Sequence, residues 1–162
     1  MPPPLPLFEQ ARARADAEAL RAPEGTYCYG DLLASAAGVA TALLAGRADL
    51  EEARVAVLVP PGFTWLTTVL GIWRAGGMAV PLAVAAPDIE LARALEDAEP
   101  EAILVDPELI GRIAPASMAL GISVHSTNEL VPIATVYDPV AEGILPIVPQ
   151  ERGSLMLYTS GT

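Results

Sequence analysis

The stretch Arg54–Leu82, RVAVLVPPGFTWLTTVLGIWRAGGMAVPL, predicts a strand, a helix and a second strand in succession. Residues 54–59 are nearly all apolar, which is typical of a strand buried on both faces of a parallel sheet. After a Pro-Pro-Gly break, apolar residues recur at helical spacing from Phe63 to Ala75. A Gly-Gly pair then ends the helix and precedes the apolar run Met78–Leu82. Two buried strands joined by a helix indicate a parallel unit with a right-handed crossover.

The same alternation of helices and strands continues on both sides of this unit. Before it we predict a helix over Leu5–Arg21, a strand over Thr26–Tyr29 and a helix over Gly30–Arg47 with Asp31 as its N-cap. After it we predict a helix over Pro87–Pro100, a strand over Ala102–Asp106, a short helix and a strand over Gly121–His125. This order predicts an α/β domain with a mostly parallel sheet flanked by helices.

The C-terminal part of the sequence is less regular. Residues 126–149 show little periodicity and contain four prolines, so we predict an extended connection there. The apolar run Ser154–Tyr158, SLMLY, then predicts a last buried strand that needs neighbours to cover it. If the domain is incomplete, we expect bare apolar surface near Leu155–Tyr158.

Composition excludes several classes of partner. The 162 residues are 52% hydrophobic and 18% charged, the net charge is −11, and all nine basic residues are arginine. Such a surface argues against binding to nucleic acid or to an anionic membrane, because both need clustered positive charge. The opening MPPPLPLFEQ lacks the basic start and long apolar core of a signal peptide. Because the sequence also holds a single cysteine and no long apolar run, we expect a soluble cytoplasmic protein.

The residues that follow the last predicted strand are suited to holding phosphate; they are Thr159, Ser160, Gly161 and Thr162. Glycine lets the backbone direct N–H groups toward one point, and flanking hydroxyls add donors without bulk. In α/β sheets ligands gather at the carboxyl ends of strands, where this turn is expected to lie. The sequence has neither GxxxxGK[ST] nor GxGxxG. From these four residues alone, an ordinary turn is the alternative to a phosphate site.

Other chemically active side chains have simpler structural explanations. His125 is the only histidine and has no nucleophile beside it in sequence, so a structural role is favoured over that of a general base. Cys28 is expected to be a small buried apolar residue rather than a reactive thiol. Trp73 falls on the apolar stripe of its helix and is expected in the core. An acidic cluster at a helix end is expected to be a solvated face rather than a metal site; it comprises Glu96, Asp97, Glu99 and Glu101.

Three stretches resemble one family, the AMP-forming acyl-CoA synthetases and other adenylate-forming enzymes. SLMLYTSGT, residues 154–162, is similar to the opening of that family's phosphate-binding loop, which usually continues Thr-Gly-x-Pro-Lys-Gly. YCYGDL, residues 27–32, resembles the family's Thr-Tyr-x-Glu-Leu segment. Residues 54–106 follow its order of strand, helix, AG…VPL, helix and strand. The segment GIWRAGGMAVPL favours the malonyl- or methylmalonyl-CoA synthetase-like members of the family.

The resemblance implies a function and a place in a larger domain. Residues 1–162 would be the N-terminal portion of the large domain, truncated within the phosphate-binding loop. Full-length relatives use ATP and Mg²⁺ to activate a carboxylic acid as an acyl-adenylate and pass the acyl group to coenzyme A. By this carry-over, residues 159–162 would hold the β- and γ-phosphates, Tyr158 would anchor their strand, and Val80–Leu82 would be structural. The catalytic residues would lie downstream, so the rest of the same polypeptide would be needed to complete the site.

Two other functions stay open at this point. The chain could belong to a peptide-synthetase adenylation domain or another adenylate-forming branch, because the residues of the acid pocket lie mostly downstream. It could also be a non-catalytic α/β interaction module in which TSGT is only a turn. The sequence that follows Thr162 distinguishes them, since Thr-Gly-x-Pro-Lys favours the ligase.

The chain alone is predicted neither to bind MgATP tightly nor to turn over. Phosphate sites of this kind depend on charge-assisted hydrogen bonds, each about 1.5–3 kcal/mol, together with a metal ion. This sequence offers hydroxyls and N–H groups but no lysine, and its net charge of −11 repels ATP. Isothermal titration with MgATP, with Mg²⁺ alone as the control, should detect no tight binding. Micromolar affinity would contradict this prediction.

Overall fold

The computed structural model describes residues 5–130 and 145–158 and shows a parallel sheet with helices on both faces. Its elements, in chain order, are α1 (Pro6–Arg12), β1 (Glu18–Ala22), β2 (Gly25–Cys28), α2 (Tyr29–Leu44), β3 (Arg54–Leu58), α3 (Phe63–Arg74), β4 (Met78–Pro81), α4 (Asp88–Ala98), β5 (Ala102–Val105), α5 (Ile110–Leu120), β6 (Ser123–Ser126) and α6 (Thr127–Leu130). A single 3₁₀ turn, Pro107–Leu109, precedes α5. The predicted α/β class is confirmed.

The sheet has the strand order β4-β3-β5-β6, and its three pairings are all parallel. Val55 of β3 is paired with Ala79 on one side and with Ala102 on the other. The connection from β4 to β5 crosses over β3, which therefore becomes a central strand. Because the strands are parallel, their carboxyl ends all open at one edge of the sheet, the edge at which α/β proteins bind ligands.

Each face of the sheet is covered by its own pair of helices. Alternate residues of β3 point to opposite sides, so Val55 and Val57 pack with residues of α2 and α3. Ala56 and Leu58 pack on the other face, with residues of α4 and α5 such as Leu95 and Ile113. All of these side chains are at most 2% exposed. Burial on both faces explains why β3 reads as an unbroken apolar run rather than an alternating one.

The prediction of one long N-terminal helix is wrong. Helix α1 ends at Arg12, and residues 18–22 form β1, which pairs antiparallel with β2. The helix-forming Glu, Ala and Arg residues of β1 adopt a strand because pairing with residues 25–28 outweighs their intrinsic propensity. The turn between the two strands places Glu24 at the start of α3, where its carboxylate accepts a hydrogen bond of 2.7 Å from the backbone N–H of Phe63.

The start of α2 also differs from the prediction. Asp31 is not the N-cap but the third residue of the helix, and its carboxylate accepts a 2.8 Å hydrogen bond from the backbone N–H of Cys28. Cys28 is the N-cap and is half-buried rather than buried, which corrects the expectation of a small buried residue. An acidic residue near a helix N-terminus is favourable at either position, because its charge interacts with the unpaired N–H groups there.

The later elements follow the predicted order with shifted bounds. The short helix expected after β5 is the 11-residue α5, and β6 begins at Ser123 rather than Gly121. The predicted extended connection over residues 126–149 contains helix α6 at its start. Residues 131–144 of that connection lie outside the described residues. None of the helices in the described part of the chain has the length and hydropathy of a bilayer-spanning helix.

Helices α2 and α3 approach each other closely at Gly71. A Cβ atom built on Gly71 would lie 2.5 Å from Cβ of Val39 and 2.9 Å from the backbone oxygen of Ala36. Such distances require backbone movement, because the second contact is with main chain and Val39 is fully buried. Glycine is therefore needed here for packing rather than for backbone conformation.

Gly71→Ala is predicted to lower the free energy of unfolding by about 1–3 kcal/mol through overpacking of the α2–α3 interface. Gly111→Ala is the matched control, since Gly111 lies in α5 and a Cβ there meets no atom within 4 Å. The control substitution should raise the free energy of unfolding by about 0.5–1 kcal/mol, because alanine is favoured over glycine in a helix. Urea unfolding of the two variants gives the comparison. Equal stability of the two would contradict the packing argument.

Candidate functional site

The four residues predicted to hold phosphate lie outside the described residues. They are Thr159, Ser160, Gly161 and Thr162, and the described chain ends one residue before them. The structure does describe Ser154–Tyr158, which we call the approach segment because it leads directly into them. The position of the approach segment shows in which direction the described chain runs before them.

The approach segment lies along the open edge of β4. The N–H of Ala79 donates to the oxygen of Ser154, and the N–H of Met156 donates to the oxygen of Ala79, both at 2.9 Å. The bridge between Ala79 and Leu155 is parallel, so the segment runs in the same direction as β4. It therefore leads the backbone toward the carboxyl edge of the sheet, where nucleotide phosphates bind in open α/β folds.

The prediction that this segment is a buried strand is wrong. It makes one isolated bridge, and three of its apolar side chains are exposed: Leu155 by 41%, Leu157 by 64% and Tyr158 by 42%. Met156 is half-buried and packs against the core. The reason for the exposure is the segment's place at the edge of the sheet, where it pairs with β4 on one side only among the described residues. The predicted bare apolar surface near Leu155–Tyr158 is confirmed.

Three polar contacts fix the chain just before the approach segment and at its first residue. Nη1 of Arg152 lies 2.6 and 2.7 Å from the two carboxylate oxygens of Asp49. The N–H of Gly153 donates to the carboxylate of Glu52 at 2.6 Å. The indole N–H of Trp73 donates to the oxygen of Ser154 at 2.5 Å. Trp73 also packs against the core, as predicted, but its N–H supports the approach segment.

The turn that holds Arg152 and Gly153 has an unusual backbone. Glu51 and Glu52 adopt positive φ angles of 53° and 65°, a conformation that costs energy for residues other than glycine. Two hydrogen bonds stabilise it, from the N–H of Glu51 to Asp49 at 2.7 Å and from the N–H of Glu52 to the oxygen of Gly76 at 2.8 Å. The carboxylates of Asp49 and Glu52 are thereby oriented toward the chain that leads into the approach segment.

A groove of about 530 Å³ lies beside the approach segment. We call it the α4 groove, because α4, the end of β4 and the loop that follows β4 form most of its wall. Its lining is mainly apolar, with Glu90 and Arg93 as the charged members. Leu157 and Tyr158 line the groove on the other side, so the residues that precede Thr159 form part of a concave surface.

Arg112 of α5 holds the loop that follows β4. Its guanidinium donates to the oxygens of Val84 and Ala86 at 2.6 and 2.5 Å. It also pairs with the carboxylate of Asp88, the first residue of α4, at 2.7 Å. A planar group with several donors is suited to satisfying three acceptors at once. Arg112 therefore fixes the loop at the carboxyl edge beside the α4 groove.

Tyr158 connects the approach segment to the C-terminal half of α4. Its hydroxyl lies 2.8 Å from Oδ2 of Asp97 and 3.2 Å from the oxygen of Ala94. Burial, the hydrogen bond to Asp97 and the negative charge of Asp97 raise the pKa of Tyr158 to about 12, against a smaller opposing effect of Arg54. The hydroxyl therefore stays protonated at neutral pH and donates a hydrogen bond to Asp97 of α4.

The remaining candidates take structural positions. His125 lies in β6 beside a small pocket of about 160 Å³ that includes Arg47 and Glu101. Of the acidic cluster, Glu101 pairs with Arg47 at 2.9 Å and Asp97 contacts Tyr158. Within residues 5–130 and 145–158 there is no group of three or more side chains that could hold a metal ion. Val80 is fully buried at the end of β4.

Sequence reasoning missed the polar contacts that position the approach segment. Arg152 and Asp49 are 103 positions apart, and Tyr158 and Asp97 are 61 apart. No local pattern links residues at such separations.

Comparison with known proteins identifies the family. The profile described as "AMP-binding enzyme" matches residues 7–162. The chain belongs to the AMP-binding enzyme family. Its similarity to this family thus includes the approach segment and the four residues that follow it.

Three relatives illustrate the breadth of the AMP-binding family around this chain. A mitochondrial malonate–CoA ligase of Bos taurus is 30% identical over 167 residues, which cover 97% of this chain and 28% of that protein. A plipastatin synthase of Bacillus subtilis is 30% identical over 160 residues, 96% of this chain and 6% of that protein. The crystal structure of apo MatB from Rhodopseudomonas palustris superposes with a TM-score of 0.70 at 28% identity, covering 96% of this chain and 32% of MatB. The chain thus spans less than a third of the length of each of these proteins.

The titration of Tyr158 is predicted to report on its contact with Asp97. Because its pKa is raised to about 12 from the ordinary value of 10.0, its contribution to stability is present below about pH 10 and lost as the pH rises through 12. The absorbance difference between wild type and Tyr158→Phe should show one tyrosinate step near pH 12.

Asp97→Asn is the companion variant, and it should move this step toward 10.0 because the negative charge is removed. Circular dichroism at each pH controls for unfolding. A step at pH 10.0 in the folded wild-type protein would contradict the contact.

Proposed function

We propose that residues 1–162 form the N-terminal portion of an ATP-dependent, AMP-forming acid–thiol ligase whose phosphate-binding loop begins at Thr159. One observation carries the proposal. In a chain of the AMP-binding family, the approach segment runs parallel to β4 toward the carboxyl edge of the sheet, and Thr-Ser-Gly-Thr follows it in the sequence. A position at this edge is the one that α/β sheets use for nucleotides.

In the proposed site, Thr159, Ser160, Gly161 and Thr162 bind the β- and γ-phosphates of MgATP. The glycine lets successive N–H groups converge on one anion, and the hydroxyls add further donors. This chain orients the triphosphate but supplies no general acid or base of its own to the reaction. Mg²⁺ is proposed to enter the site as part of the substrate MgATP.

The reaction proposed for the whole protein has two steps. The carboxylate oxygen of the acid attacks the α-phosphorus of ATP, the bond to the β-phosphate oxygen breaks, and pyrophosphate leaves with its electron pair. The thiol of coenzyme A then attacks the acyl carbon, AMP leaves, and the thiol proton is lost to solvent or a base. The remainder of the polypeptide is proposed to supply the groups that contact the reacting atoms.

A short dicarboxylic acid is the proposed substrate, because the Bos taurus relative is named as a malonate–CoA ligase. A cytoplasmic location also stays a proposal, and that relative is described as mitochondrial. The second candidate function is amino-acid adenylation, which the similarity to the Bacillus subtilis plipastatin synthase favours. The two functions differ in the acid that is activated, so they are distinguished by substrate.

Pyrophosphate release tests the proposal in the complete open reading frame that contains this chain. We expect release with malonate or methylmalonate that depends on ATP, and formation of the corresponding acyl-CoA when coenzyme A is added. Release with amino acids instead would support the second candidate. A folded protein that releases pyrophosphate with no mono- or dicarboxylic acid and no amino acid would contradict both.

Gly161→Ala tests the role of the phosphate-binding residues, with Gly111→Ala as the matched control in open space on α5. The first variant should raise the KM for ATP about tenfold or more, because a Cβ in a phosphate cradle blocks close backbone approach. The control should leave the KM for ATP unchanged. Equal ATP kinetics in the two variants would contradict the assignment of residues 159–162.

A further inference from the structure

The contact between Tyr158 and Asp97 joins the approach segment to a part of the fold that is itself fixed. Nη1 of Arg54, the first residue of β3, donates to the oxygen of Ala98 at 2.8 Å. The N–H of Glu101 donates to the oxygen of Arg54 at 2.9 Å, and Ala98 is fully buried. The last turn of α4, which carries Asp97, is therefore held against the central strand of the sheet.

Apart from Met156, which packs against the core beside α4, the approach segment has few contacts that hold its second half. Its last backbone contact in the described part of the chain is the hydrogen bond from Met156 to Ala79. Leu157 is 64% exposed, so its side chain adds little packing. Within the described residues, the hydroxyl of Tyr158 makes the last polar contact before Thr159, and it reaches α4 at both Asp97 and the oxygen of Ala94.

The chemistry of the pair makes its geometry specific. An ionised carboxylate only accepts hydrogen bonds, so the phenol must be the donor, and a hydrogen bond to a charged acceptor is about twice as strong as a neutral one. Ala94 and Asp97 are three positions apart and lie on the same face of α4, so both acceptors face one hydroxyl. The pair therefore defines both the distance and the direction of the approach segment relative to α4.

We propose that Tyr158 and Asp97 form a latch that positions the phosphate-binding loop, and that Asp97 is consequently a positioning residue for ATP. The inference rests on the proposed function above and deepens it. Through the latch, the backbone that enters Thr159 is fixed to α4, and through Arg54 it is fixed to β3. Loss of the latch is expected to weaken the binding of ATP without affecting the binding of the acid or the thiol.

Steady-state kinetics of the complete protein test the latch. Asp97→Ala and Tyr158→Phe should each raise the KM for ATP about three- to tenfold, the effect of one hydrogen bond to a partly exposed charged group, with kcat and the KM for the acid nearly unchanged. The double variant should be no worse than either single one, because both remove the same contact. Asp97→Asn keeps an oxygen acceptor and should restore the KM for ATP to within about twofold of wild type.

Glu96→Ala is the matched control, since Glu96 is the neighbouring exposed carboxylate on α4. It should leave the KM for ATP unchanged, which excludes a general effect of removing negative charge near the nucleotide. An unchanged KM for ATP in Asp97→Ala would overturn the latch as a positioning device. So would a lower kcat with higher KM values for both ATP and the acid and a lower melting temperature, because that pattern indicates a general loss of stability.

Hydrogen exchange of the chain keeps this inference separable from the proposed function. Asp97→Ala should increase the exchange of the Met156 amide, which donates to the oxygen of Ala79, whereas Glu96→Ala should not. If the complete protein releases no pyrophosphate but exchange increases as expected, the proposed function fails while the latch stands. If exchange is the same in Asp97→Ala and Glu96→Ala, the latch is overturned whatever the protein catalyses.

Discussion

Burial of both faces of β3 is the constraint around which the rest of the structure is arranged. Val55, Ala56, Val57 and Leu58 are each at most 2% exposed. Burying one Val or Leu side chain contributes about 1.5–3 kcal/mol, so a strand of this composition is stable only when both of its faces are covered. The helix pairs α2–α3 and α4–α5 provide that cover, and the crossover from β4 to β5 places β3 between two neighbours. The same arrangement brings the carboxyl ends of the parallel strands to one edge of the sheet and makes β4 an outer strand.

Arginine provides most of the polar ties between the layers, in a sequence that has no lysine. Arg112 donates to the carbonyls of the β4–α4 loop, Arg54 to the end of α4, and Arg152 pairs with Asp49 before the approach segment. A guanidinium can satisfy several acceptors in a fixed plane, which an ammonium group cannot do. Arg112 holds backbone at the carboxyl edge, where the phosphate-binding residues are proposed to lie. Arg54 and Arg152 hold backbone at the opposite edge, where β3 begins and the approach segment starts. These three guanidinium groups therefore make contacts within the fold and do not form a positively charged surface patch.

The α/β class and the order of the central elements could be predicted from the sequence because each buried strand is a local apolar run. β1 could not, since its Glu-Ala-Leu-Arg-Ala sequence favours a helix and only pairing with β2 makes it a strand. The approach segment was predicted to be buried because its sequence is apolar. Composition does not show whether a segment at the edge of a sheet pairs with a strand on its other side. The position of the phosphate-binding residues was predicted from a motif, and that prediction remains untested by the described residues. Contacts such as Tyr158 with Asp97 depend on the three-dimensional arrangement and leave no local signal.

The separation between the approach segment and its supports has a consequence for the order of folding. Arg152 pairs with a residue 103 positions earlier, and Leu155 is bridged to β4. Closing such long loops is entropically costly until the earlier part of the chain is ordered. The sheet from β3 to β6 therefore assembles first and offers a finished docking surface, and the approach segment adds to it late. During synthesis on a ribosome, the approach segment would thus pack only after the sheet has formed.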